Sequence, residues 1–239
     1  MIADFPVALI LILGAVLVPL FRGRARVIYM MLLPVAAFAW MLALPHGEFG
    51  QVHLLGQTLT LMRVDKLSLL FGYIFLIASL LTVIYALHLD DTTQHVASLI
   101  YAGSAIGAVF AGDLMTLFVY WEITAVSSVL LIWASRTESA SRAGMRYLVV
   151  QLLSGMLLLV GGILHWRSSG NLEFGQIGIG DVGGVLILLA FGIKCAFPFL
   201  HNWLQDAYPE ATVTGTVVLS AFTTKLGIYA LARAFPGTE

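Results

Sequence analysis

The stretch Gly192–Ala207, GIKCAFPFLHNWLQDA, decides the fold of this chain because it interrupts an apolar run with a charge and a proline. Lys194 stands among apolar residues, and Pro198 follows four positions later. Proline has no amide hydrogen, so the carbonyl of Lys194 loses the helical partner that it would otherwise have. In lipid, such a break persists only where it lines a polar cavity or is buried in protein. The stretch therefore predicts a broken helix that carries a functional site.

The composition of the whole chain is that of an integral membrane protein. Of its 239 residues, 60% are hydrophobic and 10% are charged, whereas soluble proteins average roughly a quarter charged. The formal net charge of -1 excludes the basic surface that nucleic-acid binding needs. The single cysteine, Cys195, has no partner for an internal disulfide. Residues 1–20 lack a basic leader and include Asp4, so we expect a retained helix rather than a cleaved signal.

Eight segments are long and apolar enough, or nearly so, to cross a bilayer, which needs about 20 mainly apolar residues for each helix. The seventh is predicted as two half-helices, Val182–Ala196 and Phe199–Tyr208, on either side of a break near Pro198. The predicted fold class is therefore an all-α integral membrane protein with about eight transmembrane helices. The predicted spans are 6–21, 27–45, 66–87, 96–111, 114–134, 144–166, 182–208 and 212–235.

Basic residues set the expected orientation in the membrane. They concentrate after the first span and between the fifth and sixth, and eight alternating spans would put both loops on one side. Because cytoplasmic loops are enriched in lysine and arginine, that side is expected to be cytoplasmic and the N-terminus outside. The basic residues of these two loops are Arg22, Arg24, Arg26, Arg136, Arg142 and Arg146.

Two connections have recognisable patterns. The stretch QVHLLGQTLTLMRV, residues 51–64, alternates apolar and polar side chains around Gly56, which predicts a short extracytoplasmic hairpin. The hairpin is either a docking edge for a neighbouring protein of the same complex or a cover for the helix ends. Residues 168–180 are rich in glycine and are predicted to form a plain loop.

Three ionisable residues lie too deep in predicted spans to reach the membrane surface. Glu122 lies about 14 Å inside the fifth helix, Lys194 about 20 Å along the seventh, and Lys225 about 12 Å from the end of the eighth. Charges at such depth are costly and commonly mark ion or substrate pathways. The alternative is a buried Glu–Lys pair that only fixes helix packing. Two lysines for one glutamate, with a proline break beside one of them, favour a pathway.

His201 follows the break and is either an interfacial histidine or a proton relay, since imidazole titrates near neutral pH. Asp206 is a candidate partner for it. The sequence contains no glycine-rich phosphate loop, haem attachment motif or paired cysteines, so no cofactor and no metal site are predicted. Thr124, Ser127, Ser128 and Asp113 offer oxygen atoms near the fifth helix, although such hydroxyls more often join helices.

These segments resemble a known family of membrane proteins. Glu122 in LFVYWEI, Lys194 in GIKCAFPFLHNWLQDAYPEA and Lys225 in LSAFTTKLGIYAL are similar to the antiporter-type subunits of respiratory complex I, membrane-bound hydrogenases and multisubunit Mrp-type sodium/proton antiporters. The stretch YPEATVTGTVVLSAFTTKLGIYALARAFPGTE most resembles the D-type component of the Mrp antiporters. The resemblance covers most of the chain.

The resemblance implies a proton half-channel formed by Glu122, Lys194 and Lys225, and His201 is the candidate relay between these residues and water. It divides the chain into an N-terminal three-helix membrane segment, 1–95, and a single antiporter-type five-helix repeat, 96–239. The family fold has two inverted repeats, so we expect the second repeat either in a longer native chain or in a partner polypeptide. The implied partners are other membrane subunits, protons and Na+ or K+, and the implied location is the bacterial inner membrane.

The sequence therefore predicts a proton-conducting module of a multisubunit monovalent cation/proton antiporter, performing ion translocation rather than covalent catalysis. In the expected mechanism Lys194 holds a proton, exchanges Glu122 for another carboxylate, and passes the proton toward Lys225. The alternatives are a proton-pumping component of a complex I or hydrogenase type assembly, which would make it part of an NADH:quinone oxidoreductase-type complex, and a structural scaffold without transport.

Overall fold

The computed structural model describes residues 4–54 and 56–237, which form a bundle of helices and one hairpin. Single 3-10 turns follow α1 and α3, at Val18–Leu20 and Ala86–His88. The regular elements, in chain order, are α1 (Val7–Leu17), α2 (Gly23–Leu42), β1 (Gly47–Leu54), β2 (Gln57–Val64), α3 (Lys66–Tyr85), α4 (Thr92–Phe110), α5 (Leu114–Trp133), α6 (Glu138–Ser169), α7 (Val182–Lys194), α8 (Asn202–Ala207) and α9 (Val213–Ala234).

This is an all-helical membrane fold, as the composition predicts, and a helix lies in every predicted span. Within the described ranges, five helices are long and apolar enough to cross a membrane, and two shorter apolar helices accompany them. Three helices, α2, α4 and α6, start earlier than predicted. At two of them a side chain caps the added turn: Thr137 accepts the Ala140 N–H at α6, and Asp91 caps α4. The five long helices are Gly23–Leu42, Lys66–His88, Leu114–Trp133, Glu138–Ser169 and Val213–Ala234.

Helix α4 is the centre of the bundle. Its residues from Tyr101 to Phe110 are all buried, and it packs against α1, α3, α5 and α9. Small residues permit this close packing: a Cβ at Gly107 would overlap the Tyr120 ring on α5, and one at Gly103 would press on Ile12 of α1. Glycine and alanine at helix contacts are the usual way in which membrane helices approach one another.

The predicted hairpin is present and begins four residues earlier than expected. β1 and β2 pair antiparallel, with Gly47 opposite Val64 and Val52 opposite Leu59. The strand β2 is tied to the end of the bundle, because the Gly112 N–H donates to the Thr60 carbonyl at 3.0 Å and the Thr60 N–H donates to the Asp113 carboxylate at 2.8 Å. The predicted loop begins at Asn171, because α6 extends to Ser169 and ends at Gly170 in the left-handed conformation.

Ion pairs place the two predicted cytoplasmic loops at the same end of the bundle. Arg26 pairs with Asp90, and Arg136 pairs with the adjacent Asp91 at 3.3 Å. This end of the bundle is called the basic end below. At the opposite end Arg233 of α9 holds Asp65, which precedes α3, through two hydrogen bonds of 2.8 Å.

The broken helix ends before the proline and not at it. Ala196 adopts a left-handed conformation with φ 58°, its N–H donates to the Ile193 carbonyl, and the Phe197 N–H donates to the Gly192 carbonyl. This is the Schellman arrangement that closes a helix C-terminus. The first half-helix is therefore Val182–Lys194 rather than Val182–Ala196, and the second is the short α8 rather than Phe199–Tyr208. Lys194 becomes the last helical residue.

Candidate functional site in the bundle core

Lys194 is fully enclosed by the bundle, with 1% of its surface exposed. Its Nζ donates a hydrogen bond of 2.8 Å to Thr124 Oγ1 on α5 and lies 4.3 Å from the centre of the Trp121 ring. A hydroxyl acceptor and an aromatic face both stabilise an ammonium group in an apolar environment. A charged lysine can therefore exist at this position, although burial strongly disfavours it without such partners.

The end of α7 sets the position of Lys194. A Cβ at Gly192 would overlap the Phe197 ring, so glycine allows the chain after the break to fold back on α7. On the other side, a Cβ at Gly227 of α9 would press on Cys195. These two glycines let α9 and the break segment pack closely around the backbone of Lys194.

Trp121 is held in place by a short relay of hydrogen bonds. Its Nε1 donates to Ser154 Oγ on α6 at 3.0 Å, and Ser154 Oγ donates to the Ala190 carbonyl of α7 at 2.7 Å. The ring also packs against Phe191, with 5.3 Å between ring centres. The aromatic face under the lysine is therefore fixed by α5, α6 and α7 together.

Glu122 lies near Lys194 but does not bind it directly. Its side chain points at α6, where a Cβ at Gly155 would overlap Glu122 Oε1. Oε1 is buried and has no hydrogen-bond partner among the described residues. Within the same part of the chain no ion pair within 4.0 Å joins Glu122 to Lys194, although Lys194 binds Thr124, which lies only two residues after Glu122 on α5. A carboxylate with unused acceptor capacity beside a buried ammonium is able to receive a proton or approach the lysine.

The structure does not bring Lys225 to Lys194. The Lys225 side chain is on the exposed face of α9, and its Nζ donates to the Ser220 carbonyl of the same helix at 2.8 Å. His201 lies half-buried at the start of α8, after the break. Asp206 pairs with Arg146 of α6 through hydrogen bonds of 2.7 and 2.6 Å rather than with the histidine.

The oxygen ligands considered near the fifth helix have structural uses. The Asp113 carboxylate accepts the N–H groups of Thr60, Met115 and Thr116 and so caps α5. Ser127 Oγ donates to the Ile123 carbonyl at 2.6 Å. Asp113 therefore caps a helix, and Ser127 binds a carbonyl of its own helix.

Two residues that contact Lys194 were not predicted to do so: Thr124 was considered only as an ion ligand, and Trp121 was not considered. The buried residue Gln151 was not considered either. Gln151 of α6 has no exposed surface, and neither its Oε1 nor its Nε2 has a hydrogen-bond partner in the described part of the chain. A lone amide in the apolar run YLVVQLLSG is the signal that could have drawn attention to it, since buried polar groups in membrane helices are costly and functional.

A family model described as NADH:quinone oxidoreductase/Mrp antiporter, TM, matches residues 111–239. The matched region contains α5 to α9 and with them Glu122, Thr124, Gln151 and Lys194. Helices α1 to α4 and the hairpin precede it.

Two curated relatives are components of Na(+)/H(+) antiporters. The A-type component from Alkalihalophilus pseudofirmus is 31% identical over 192 residues, which are 72% of this chain and 24% of that protein. The D-type component from Bacillus subtilis is 32% identical over 139 residues, which are 54% of this chain and 28% of that protein. The chain thus spans only about a quarter of the length of either relative.

The fold itself is found in a solved respiratory complex. One chain of respiratory complex I from Thermus thermophilus, solved with bound NADH, superimposes with a TM-score of 0.79 at 22% sequence identity. The superposition covers 98% of this chain and 52% of that one. Nearly the whole described fold therefore corresponds to about half of a larger membrane protein.

Proposed function

Because this chain belongs to the NADH:quinone oxidoreductase/Mrp antiporter transmembrane family, we propose that it is a proton-conducting half-channel module of a multisubunit monovalent cation/proton antiporter, of the Mrp D-like kind. One observation carries the proposal: Lys194 is completely buried, and its ammonium group binds a hydroxyl and lies over an aromatic face without a direct ion pair to a carboxylate among the described residues. A lysine in a permanent ion pair would be a packing device, whereas this lysine is free to gain and lose a proton.

Lys194 and Glu122 are assigned complementary roles. Lys194 holds the transported proton, and Thr124 and Trp121 keep its head group in place. Glu122, whose buried Oε1 lacks a partner among the described residues, stabilises the ammonium form through its charge when it is ionised. Changes in the distance between the two groups would load and release the proton, because an opposite charge favours the charged form of its neighbour.

Lys225 and His201 are assigned to the connections beyond this centre. Lys225 faces outward on α9 and gives one hydrogen bond to the Ser220 carbonyl, so in the membrane its remaining N–H groups need a polar partner from outside the described bundle. A second repeat, in a longer chain or in another polypeptide, would supply that partner and receive the proton from Lys194. His201 would exchange protons with water beside the break.

The surrounding assembly is part of the proposal. The unit 96–239 is taken as one five-helix repeat, preceded by a three-helix segment, 1–95. Other membrane subunits would adjoin the exposed faces, with Na+ or K+ as the coupled ion, in a bacterial inner membrane. The basic end would face the cytoplasm, because lysine and arginine accumulate there, and the N-terminus would lie outside.

A second candidate function is that of a proton-pumping component of a complex I type assembly. The family description covers NADH:quinone oxidoreductases as well as antiporters, and the same lysine centre would serve either machine. The partners distinguish the two: subunits with iron–sulfur cysteine motifs in the purified native complex would favour the redox-driven pump, and their absence would favour the antiporter.

The proposed function is tested by Glu122→Gln in the assembled complex, reconstituted into vesicles, with ion-driven pH changes as the readout. Glu138→Gln is the matched control, because Glu138 is exposed at the start of α6 and pairs with Arg142 one turn away. We expect the first variant to lose transport and the second to keep it. Wild-type pH changes with Glu122→Gln, in a normally assembled complex, would refute the proposal.

A further inference from the structure

Gln151 is a buried polar residue to which the proposed mechanism assigns no role. It lies in the middle of α6 with no exposed surface, and both polar atoms of its amide lack partners within the described ranges. Burying an amide without hydrogen-bond partners is unfavourable, because the amide loses its hydrogen bonds to water and gains none in the protein. Its position relative to Lys194 therefore matters.

The register of α5 against α6 places Gln151 opposite Thr124. Trp121 binds Ser154, and Ser128, seven residues further along α5, binds Tyr147, seven residues earlier on α6. The two helices therefore run antiparallel with a constant offset. Thr124, three residues after Trp121, falls opposite Gln151, three residues before Ser154.

The contacts between α6 and α7 place Gln151 at the same height in the bundle. Ser154 donates to the Ala190 carbonyl, and a Cβ at Gly161 would meet the Gly183 carbonyl, seven residues further along α6 and seven earlier on α7. Continuing this antiparallel offset puts Gln151 opposite Ile193, one residue before Lys194 at the end of α7. Two independent helix contacts thus place the unpartnered amide in the layer where Lys194 binds Thr124.

A set of buried hydroxyls begins one turn away from this layer, toward the basic end. Ser128 Oγ of α5 and Tyr147 OH of α6 are 2.8 Å apart. Thr223 of α9 hydrogen-bonds Tyr101 of α4. Buried hydroxyls therefore come from four helices, and the Ser128–Tyr147 pair joins the two helices that hold Thr124 and Gln151.

We propose that Gln151 holds an ordered water in the Lys194–Thr124 layer, and that this water joins Lys194 to the Ser128–Tyr147 pair as a proton route toward the basic end. Buried waters typically make about three hydrogen bonds to otherwise unsatisfied polar groups, and the amide offers a donor and an acceptor beside the Thr124 hydroxyl. Thr124 and Ser128 are one helical turn, about 6 Å, apart, which is too far for a direct bond and suitable for one bridging water.

The transfer conserves protons along the route. The Lys194 ammonium gives one hydrogen to the water and becomes a neutral amine, and the water gives a different hydrogen to Ser128 Oγ. Ser128 releases its own hydrogen to the Tyr147 oxygen, and Tyr147 releases its phenolic hydrogen to water on the side of the basic end; the same steps in reverse load Lys194 from that side. Each oxygen gains one hydrogen and loses one, so it returns to its neutral form, and the hydroxyls then rotate to reset the chain.

This inference rests on the proposed function, and Gln151 is a positioning residue within it. The test compares Gln151→Leu with Gln151→Asn and with Ser79→Ala in the assembled complex in vesicles. Ser79 is the matched control, because its side-chain oxygen is also buried without a partner among the described residues but lies on α3. We expect ion-driven proton flux to fall at least about tenfold with leucine, in line with the loss of one buried hydrogen bond, and to be largely kept with asparagine and in the control.

Flux at the wild-type level in Gln151→Leu, while Lys194→Ala abolishes it, would overturn the inference and leave the proposed function intact. Normal flux in Lys194→Ala would overturn both. If the leucine variant does not assemble, the question is decided by a crystallographic or cryo-EM map of the wild-type complex at a resolution at which ordered water is visible. Water within hydrogen-bond distance of the Gln151 amide supports the inference, and an amide enclosed only by apolar side chains overturns it.

Discussion

Replacing Thr124 by valine tests how much the lysine depends on its hydroxyl partner. Thr124 Oγ1 accepts from Lys194 Nζ at 2.8 Å and donates to the Trp121 carbonyl at 2.6 Å. Valine keeps the shape of the side chain and removes both bonds. A hydrogen bond to a charged group contributes about 1.5–3 kcal/mol, so the ammonium form of Lys194 should be destabilised by about that amount.

The expected result is a proton flux about tenfold to a hundredfold below wild type, because each 1.4 kcal/mol on a barrier or a population changes the rate about tenfold. Flux is measured in vesicles that contain the assembled complex, with Thr124→Ser as the variant that restores the hydroxyl. Thr82→Val is the control for losing a buried threonine, since Thr82 Oγ1 donates to the Ser79 carbonyl of its own helix α3. Normal flux in Thr124→Val, or an equal loss in Thr82→Val, would refute the reasoning.

Two further predictions concern packing and pH. Gly155→Ala should impair transport because the new Cβ would displace the Glu122 carboxylate. Gly162→Ala on the same helix is the control and should leave the proton flux unchanged, because the nearest atom to its new Cβ would be 3.6 Å away. Equal effects of the two variants would count against the role of Glu122. Burial raises the pKa of Asp65, but the ion pair with Arg233 and the hydrogen bonds from Ser68 at the start of α3 lower it by more, to about 2. Its contribution to stability is therefore present above its unfolded pKa of about 3.9 and lost as the pH falls through about 2. Thermal unfolding in detergent should show this loss between about pH 4 and 2 in wild type and not in Asp65→Asn; identical curves would contradict it.

The sequence predicted the helices and the depth of the lysine because both depend on local patterns. Apolar runs of membrane length stand out in any hydropathy profile, and a lysine inside one is conspicuous. The ending of α7 was placed two residues late, because the prediction relied on Pro198. The helix actually closes at Ala196, a non-glycine residue in a left-handed conformation, which no propensity favours.

The partners of the lysine could not be read from the sequence. Glu122 and Thr124 lie two residues apart, about 160° apart around α5, so which of them meets Lys194 depends on which face of that helix packs against α7. The outward direction of Lys225 depends in the same way on which face of α9 packs inward, and α9 is largely apolar on both faces. The position of Gln151 relative to Lys194 follows only from how α6 packs against α5 and α7, and this packing cannot be read from the sequence.

Ion-driven proton flux through the assembled complex with Lys194→Ala shows whether the buried lysine moves the proton. Lys66→Ala is the matched control, because Lys66 is an exposed lysine at the start of α3. We expect Lys194→Ala to abolish flux at normal levels of assembly and Lys66→Ala to leave it unchanged. Flux at the wild-type level in Lys194→Ala would contradict a role of this lysine in proton transfer.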